Sequence, residues 1–170
     1  MISIRESEME FGPFAEDTVY QIEKSRLHES VNNVKTVEFI LMKGVREKAL
    51  HFVEAKSSSP RPGGMNETRF DEFVDDISKK FLHSLNLYCS AIMNRHNTVN
   101  DIPNSFKDAV FSDMAIKFVL VIKGHQIEWL PPVQEALNRK MIGYSSIWNT
   151  QITVINDEMA ARYGLIATMA

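Results

Sequence analysis

Val37-Glu38-Phe39-Ile40-Leu41-Met42 and Ala49-Leu50-His51-Phe52-Val53-Glu54-Ala55 are two apolar runs either side of the charged stretch Lys43-Gly44-Val45-Arg46-Glu47-Lys48. Short runs rich in β-branched and aromatic residues, separated by a polar, glycine-bearing segment, read as the two strands of a β-hairpin. With Met42 opposite Leu50, the constant index sum of an antiparallel pair sets Ile40 across from Phe52 and Glu38 across from Glu54. Lys56 falls on the same face as Glu54, because strand side chains alternate with a period of two. One face of the hairpin therefore runs from an apolar end (Met42, Ile40, Leu50, Phe52) to a charged end (Glu38, Glu54, Lys56).

Downstream, Ser57-Ser58-Ser59-Pro60-Arg61-Pro62-Gly63-Gly64 is polar and rich in turn formers, and predicts a flexible loop over about 57–67. From Arg69 the period changes: Phe70, Phe73, Val74, Ile77, Phe81, Leu85, Tyr88 and Ile92 recur at steps of three and four, as on one face of a long amphipathic helix. Thr68 with Asp71 resembles a capping box at its start. A polar connector over 94–103 precedes a short helix over 105–111. Ile116-Lys117-Phe118-Val119-Leu120-Val121-Ile122 is almost continuously apolar, as expected of a central strand covered on both faces. Pro131-Pro132 opens a helix reaching about Met141, 150–155 is a last strand, and Asn156 or Asp157 caps a final helix closed by Gly164.

Upstream the signals are sparser. Ile2, Ile4 and Met9 alternate with polar residues as in an imperfect edge strand, Gly12-Pro13 reads as a turn, and 18–23 reads as a strand. Ser25 is placed to cap a short helix over 25–31. The sum is a mixed α/β chain: a mixed β-sheet containing a hairpin, flanked by helices, in one domain over 1–170.

Composition narrows the function classes. The chain carries 19 Lys+Arg against 22 Asp+Glu, a formal charge of −3, whereas binding nucleic acid irrespective of sequence calls for a basic excess on the binding face. Nucleic acid remains a candidate partner only if charge is segregated between faces. No run of about 18 apolar residues could cross a bilayer, and the first residues lack the apolar stretch of a secretory signal, which points to a cytoplasmic protein. With Cys89 as the sole cysteine there is neither an internal disulfide nor a cysteine-based zinc cluster.

The charged end of the hairpin face carries the chemistry. Two carboxylates directly opposite each other destabilise a strand pair, more so beside an apolar surface, and call for a neutralising partner. A divalent cation such as Mg²⁺ or Mn²⁺ held by Glu38 and Glu54 meets that need, and Lys56 beside it orients or helps deprotonate an attacking water. Glu38, Glu54 and Lys56 are thus the candidate catalytic residues for phosphodiester hydrolysis.

The pattern resembles the PD-(D/E)xK nuclease superfamily, the restriction-endonuclease-like fold. In that family an acidic residue near the start of one strand and a Glu-x-Lys on the next hold the metal, and a long helix and another strand follow. Here Glu38 stands at the first position and Val53-Glu54-Ala55-Lys56 at the second, with the resemblance covering roughly 25–123. It implies a further acid from a preceding helix, for which Glu23 and Glu29 are candidates, and phosphate contacts for which Lys79 and Lys80 are candidates.

A second reading competes with this one. Glu-x-Lys is common on exposed strands, where it makes ordinary ion pairs such as one between Lys56 and Glu38. On that view the chain is a non-catalytic interaction domain, an inactive nuclease-like fold, that joins a protein partner or self-associates. Elsewhere, His28, His51, His83, His96 and His125 lack metal-ligand spacing and receive no role, Cys89 reads as a core residue, and Trp129 and Trp148 flank the Pro-Pro helix as packing residues.

Overall fold

The computed structural model describes residues 1–44, 48–63, 65, 67–96 and 101–167. Residues 45–47 of the expected hairpin turn, Gly64 and Asn66 of the expected loop and 97–100 of the expected connector lie outside that set. The mixed α/β architecture is the expected one: a five-stranded sheet with a separate two-stranded hairpin, flanked by helices.

The chain begins with a hairpin of β1 (Ile2–Glu6) and β2 (Met9–Phe14) in place of a lone edge strand. Gly12-Pro13 lies inside β2 and is not a turn; the turn is at Ser7 and Glu8, both at positive φ. Gly12 itself sits at φ +99°, and a Cβ there would meet the Ile2 carbonyl oxygen at 2.7 Å, so only glycine fits. The strand expected over 18–23 is reduced to β3 (Val19–Tyr20), followed by a 3₁₀ turn over Ile22–Lys24. α1 (Arg26–Glu29) is capped as expected, with the Ser25 hydroxyl accepting from the His28 amide at 3.1 Å.

β4 (Phe39–Lys43) and β5 (Ala49–Lys56) pair antiparallel in the anticipated register, Met42 with Leu50 and Ile40 with Phe52. After β5 the Arg61 guanidinium lies 3.6 Å from the Trp129 ring centre, and α2 (Glu67–Ile92) crosses the sheet. Thr68 falls inside α2 and so does not cap it. α3 (Asn104–Lys107) is shorter than expected, and a 3₁₀ turn at Phe111–Asp113 leads into β6 (Ala115–Ile122), parallel to β5. α4 (Leu130–Lys140) carries its prolines in the first turn, and an unanticipated α5 (Ile142–Trp148) follows it. β7 (Thr150–Asn156) runs parallel to β6 and ends in α6 (Asp157–Arg162), whose cap is the Asn156 side chain, accepting from the Met159 amide at 2.9 Å.

Strand order is β3-β4-β5-β6-β7, so β6 is paired on both sides but stands one strand from the edge, and β5 takes the centre. Even-numbered residues of the sheet, among them Ile40, Phe52, Phe118 and Leu120, pack against α2 and α4. Phe81 of α2 stacks on Phe118 with ring centres 4.9 Å apart, and Phe52 meets Phe118 edge-on at 5.6 Å. Each such buried ring is worth about 1.5–3 kcal/mol of apolar transfer free energy, which fixes the face that α2 must cover. Odd-numbered residues, such as Phe39, Val53 and Val121, pack against the β1–β2 hairpin and the α6 segment. Among the described residues no helix is long and apolar enough to cross a membrane.

Candidate active site

Glu54 is the even-numbered residue that follows Phe52 on β5, so the pleat points it at α2, beside Leu120 of β6. It is fully buried. Glu38 immediately precedes β4 and continues its register, one step beyond the Phe39–Val53 pair, so it arrives next to Glu54. Its position is fixed from the helix side as well: the Val37 amide donates to the buried Ser84 hydroxyl at 2.8 Å, tying the start of β4 to α2. One turn before Ser84 on the same helical face stands Lys80.

Lys80 is the charged residue that sequence reasoning placed only loosely. Its ammonium lies 2.8 Å from Glu54 Oε1 and 3.8 Å from Glu38 Oε1, and its side chain is only 12% exposed. Lys56 approaches the same Glu54 oxygen at 2.9 Å and is 28% exposed. The sequence-derived trio of Glu38, Glu54 and Lys56 is therefore gathered on one face, but Lys56 pairs with Glu54, not across the strands with Glu38. Glu54 Oε1 is in ion-pair contact with both lysines without a well-aligned hydrogen bond, and Oε2 has no partner among the described residues.

Two further acids complete the cluster. Glu23, on the 3₁₀ turn anchored by buried Ile22, and Glu6, at the end of β1, each bring a carboxylate oxygen to Glu38 such that the three lie within 4.8 Å of one another. Of the two candidates for the additional acid, Glu23 is the one in place; Glu29 is exposed on α1. The turn carrying Glu23 is fastened by His28, whose ring nitrogens lie 2.8 Å from the Glu23 carbonyl oxygen and 2.9 Å from that of Val34. Lys24 closes the outer side with its ammonium 2.6 Å from Glu6. Lys79 is exposed and outside the cluster.

Glu6 was invisible in the sequence because only the packing of the β1–β2 hairpin brings it across. Lys80 had a local signal: it is one helical turn from Ser84, between the buried positions Ile77 and Phe81.

The electrostatics follow from this packing. Burial, then a hydrogen bond to Glu23 and the nearness of Glu54 and Glu23, push the Glu38 carboxyl up to about 8. Burial likewise holds the Glu54 carboxyl above its usual range, opposed by Lys80 and Lys56. Burial works against the Lys80 charge, but Glu54 and Glu38 more than offset it and hold the ammonium above its ordinary value. At neutral pH the cluster accordingly retains a proton shared around Glu38, because four acids converge on three ammonium groups. The same oxygens suit a hard divalent cation, which takes carboxylate ligands at about 2.0–2.6 Å and would release that proton on binding.

Neither a known protein family, nor a curated protein, nor a solved structure matches the chain.

Proposed function

We propose that the chain is a metal-dependent nuclease-like domain that hydrolyses phosphodiester bonds in nucleic acid. The observation that carries this reading is the convergence of the Glu6, Glu23 and Glu38 carboxylates within 4.8 Å, beside a buried Glu54 with an unpartnered oxygen. A like-charged cluster of this kind is unfavourable by itself and is offset by cation binding. Glu38 and Glu54, joined by Glu23, are the ligands for Mg²⁺ or Mn²⁺. A divalent cation held there supplies polarisation of the phosphoryl group and stabilisation of the leaving oxygen. Lys56, the more exposed ammonium, orients the attacking water, and Lys80 balances the charge of Glu54. The element order supports the reading: three antiparallel strands with Glu23 between the first two and with Glu38 and Glu54-x-Lys56 at one end of neighbouring strands, then a long helix and a parallel strand, resemble the restriction-endonuclease-like core.

One observation favours a second reading. The Lys80 ammonium stands between Glu54 and Glu38 and already supplies part of the counter-charge that a metal ion would bring. In a non-catalytic domain of the same fold, that lysine would be a permanent internal counter-ion. The two readings separate in one experiment: calorimetric titration with Mg²⁺ and Mn²⁺, paired with cleavage of single- and double-stranded DNA and RNA. Saturable metal binding with metal-dependent cleavage, abolished by Glu54→Gln and Lys56→Ala in folded protein, bears out the enzyme. Absence of both binding and cleavage at millimolar metal rejects it in favour of the internal ion-pair network.

A further inference from the structure

The opposite face of the sheet carries a second polar constellation that the acidic cluster does not use. The β1–β2 hairpin covers the odd-numbered face around Phe39, Val53 and Val121. Beside that covered area lies a hollow of about 280 Å³. Its floor is one rung of cross-strand neighbours, His51 beside Lys117 and Lys117 beside Gln151. Lys43 enters from β4, and Thr153 stands one step further along β7. Val119, Ile155 and Leu165 supply apolar wall.

Among the described residues the lining contains two lysines and no aspartate or glutamate. The Lys43 ammonium donates to the Tyr163 carbonyl oxygen, which ties it to the wall formed after α6. His51 Nδ1 is buried and has no hydrogen-bond partner among the described residues. Burial, followed by Lys117 and Lys43, holds this imidazole down at about 4, so it is neutral at pH 7 and retains one N–H donor. Two ammonium groups and a buried ring nitrogen beside an apolar wall repel one another and lose part of their hydration, and the Tyr163 carbonyl oxygen relieves only the Lys43 share. An anion entering the hollow offsets both.

We propose that this hollow binds a small phosphomonoester. Lys43 and Lys117 counter the dianion, His51, Gln151 and Thr153 donate hydrogen bonds to its oxygens, and Val119 and Ile155 receive the organic part. The volume is just under the roughly 300–1,000 Å³ usual for ligand sites, which restricts the occupant to a molecule about the size of phenyl phosphate. The site lies across the sheet from Glu38 and Glu54 and does not depend on the nuclease reading.

The test is calorimetric titration of the full chain in EDTA with three probes: phenyl phosphate, inorganic phosphate and benzoate. The expected result is saturable one-to-one binding of phenyl phosphate, with inorganic phosphate and benzoate at least about tenfold weaker for want of the apolar contact and of the second charge respectively. Lys117→Met, and Gln151→Glu, which adds a repelling carboxylate at an exposed strand position without removing a buried group, each weaken phenyl phosphate by about tenfold or more. Arg69→Met, an exposed charge on α2, leaves binding as it was. The proposal is overturned if phenyl phosphate shows no saturable binding at millimolar concentration. It is equally overturned if both pocket variants bind like the parent, or if either comparison probe binds as tightly.

Discussion

Replacing Glu38 by Gln separates stability from function in a direction that few site substitutions take. A glutamate in the unfolded chain ionises near 4.5, whereas burial beside Glu23 and Glu54 raises the folded carboxyl to about 8. A carboxyl raised by folding contributes stability that is fully present below its unfolded value and is lost as pH climbs through the folded one. Each pH unit between the two costs about 1.4 kcal/mol, which bounds the loss in metal-free protein at about 5 kcal/mol by pH 8. Water reaching the half-buried Glu6 and Glu23 screens the cluster, and the expected net loss is about 2 kcal/mol. Glutamine mimics the protonated carboxyl and does not titrate. In EDTA, therefore, Glu38→Gln matches the parent at pH 5 and exceeds it by about 2 kcal/mol at pH 8, while losing its divalent-ion affinity. Urea unfolding at the two pH values measures both differences. A variant that is less stable than the parent at pH 8, or a parent whose stability does not fall between pH 5 and pH 8, refutes the reasoning.

Lys80→Met removes one of two ammonium partners of a fully buried carboxylate. Breaking a buried pair costs about 3–5 kcal/mol, and because Lys56 stays 2.9 Å from Glu54 the expected destabilisation is about 2–3 kcal/mol. Since burial holds Glu54 above the usual range, the penalty is smaller at pH 5 than at pH 8; equal penalties in urea unfolding would contradict the assignment. Ser84→Ala strands the Val37 amide without its acceptor, costs about 1–2 kcal/mol in the same assay and weakens Mn²⁺ binding by freeing Glu38 to shift; unchanged affinity would show that this tether does not position the site. Ser25→Ala removes the cap of α1 for about 1 kcal/mol, read by thermal unfolding, and an unchanged midpoint would deny the cap any role.

The hairpin register and the long helix were legible because each rests on a local period. Two-residue alternation fixed which face Glu38, Glu54 and Lys56 share, and the constant index sum carried the Met42–Leu50 pairing down to the acids. The spacing from Phe70 to Tyr88 likewise announced α2 before any contact was known. What could not be read depends on contacts distant in the chain. Ile2, Ile4, Met9 and Phe11 bury themselves under the sheet as a hairpin, but Gly12-Pro13 inside β2 carries the composition of a turn. Glu6 reaches Glu38 only through that packing. Lys80 adjoins Lys79, the other lysine of α2; its place between Ile77, Phe81 and Ser84 sets it on the inward face, but its reach to Glu54 and Glu38 depends on how α2 crosses the start of β4. α5 was missed because Ile142 and Ile147 are largely exposed, so the apolar face that would announce a helix is not turned to the core.

The acidic cluster is most directly interrogated by titrating the metal-free protein with Mn²⁺ near pH 7 in two buffers of different ionisation enthalpy, which counts protons as well as ions. Binding of a divalent cation with release of close to one proton, both abolished in Glu38→Gln, is the predicted result. No heat of binding up to millimolar Mn²⁺, or binding that releases no proton and persists in Glu38→Gln, would contradict it.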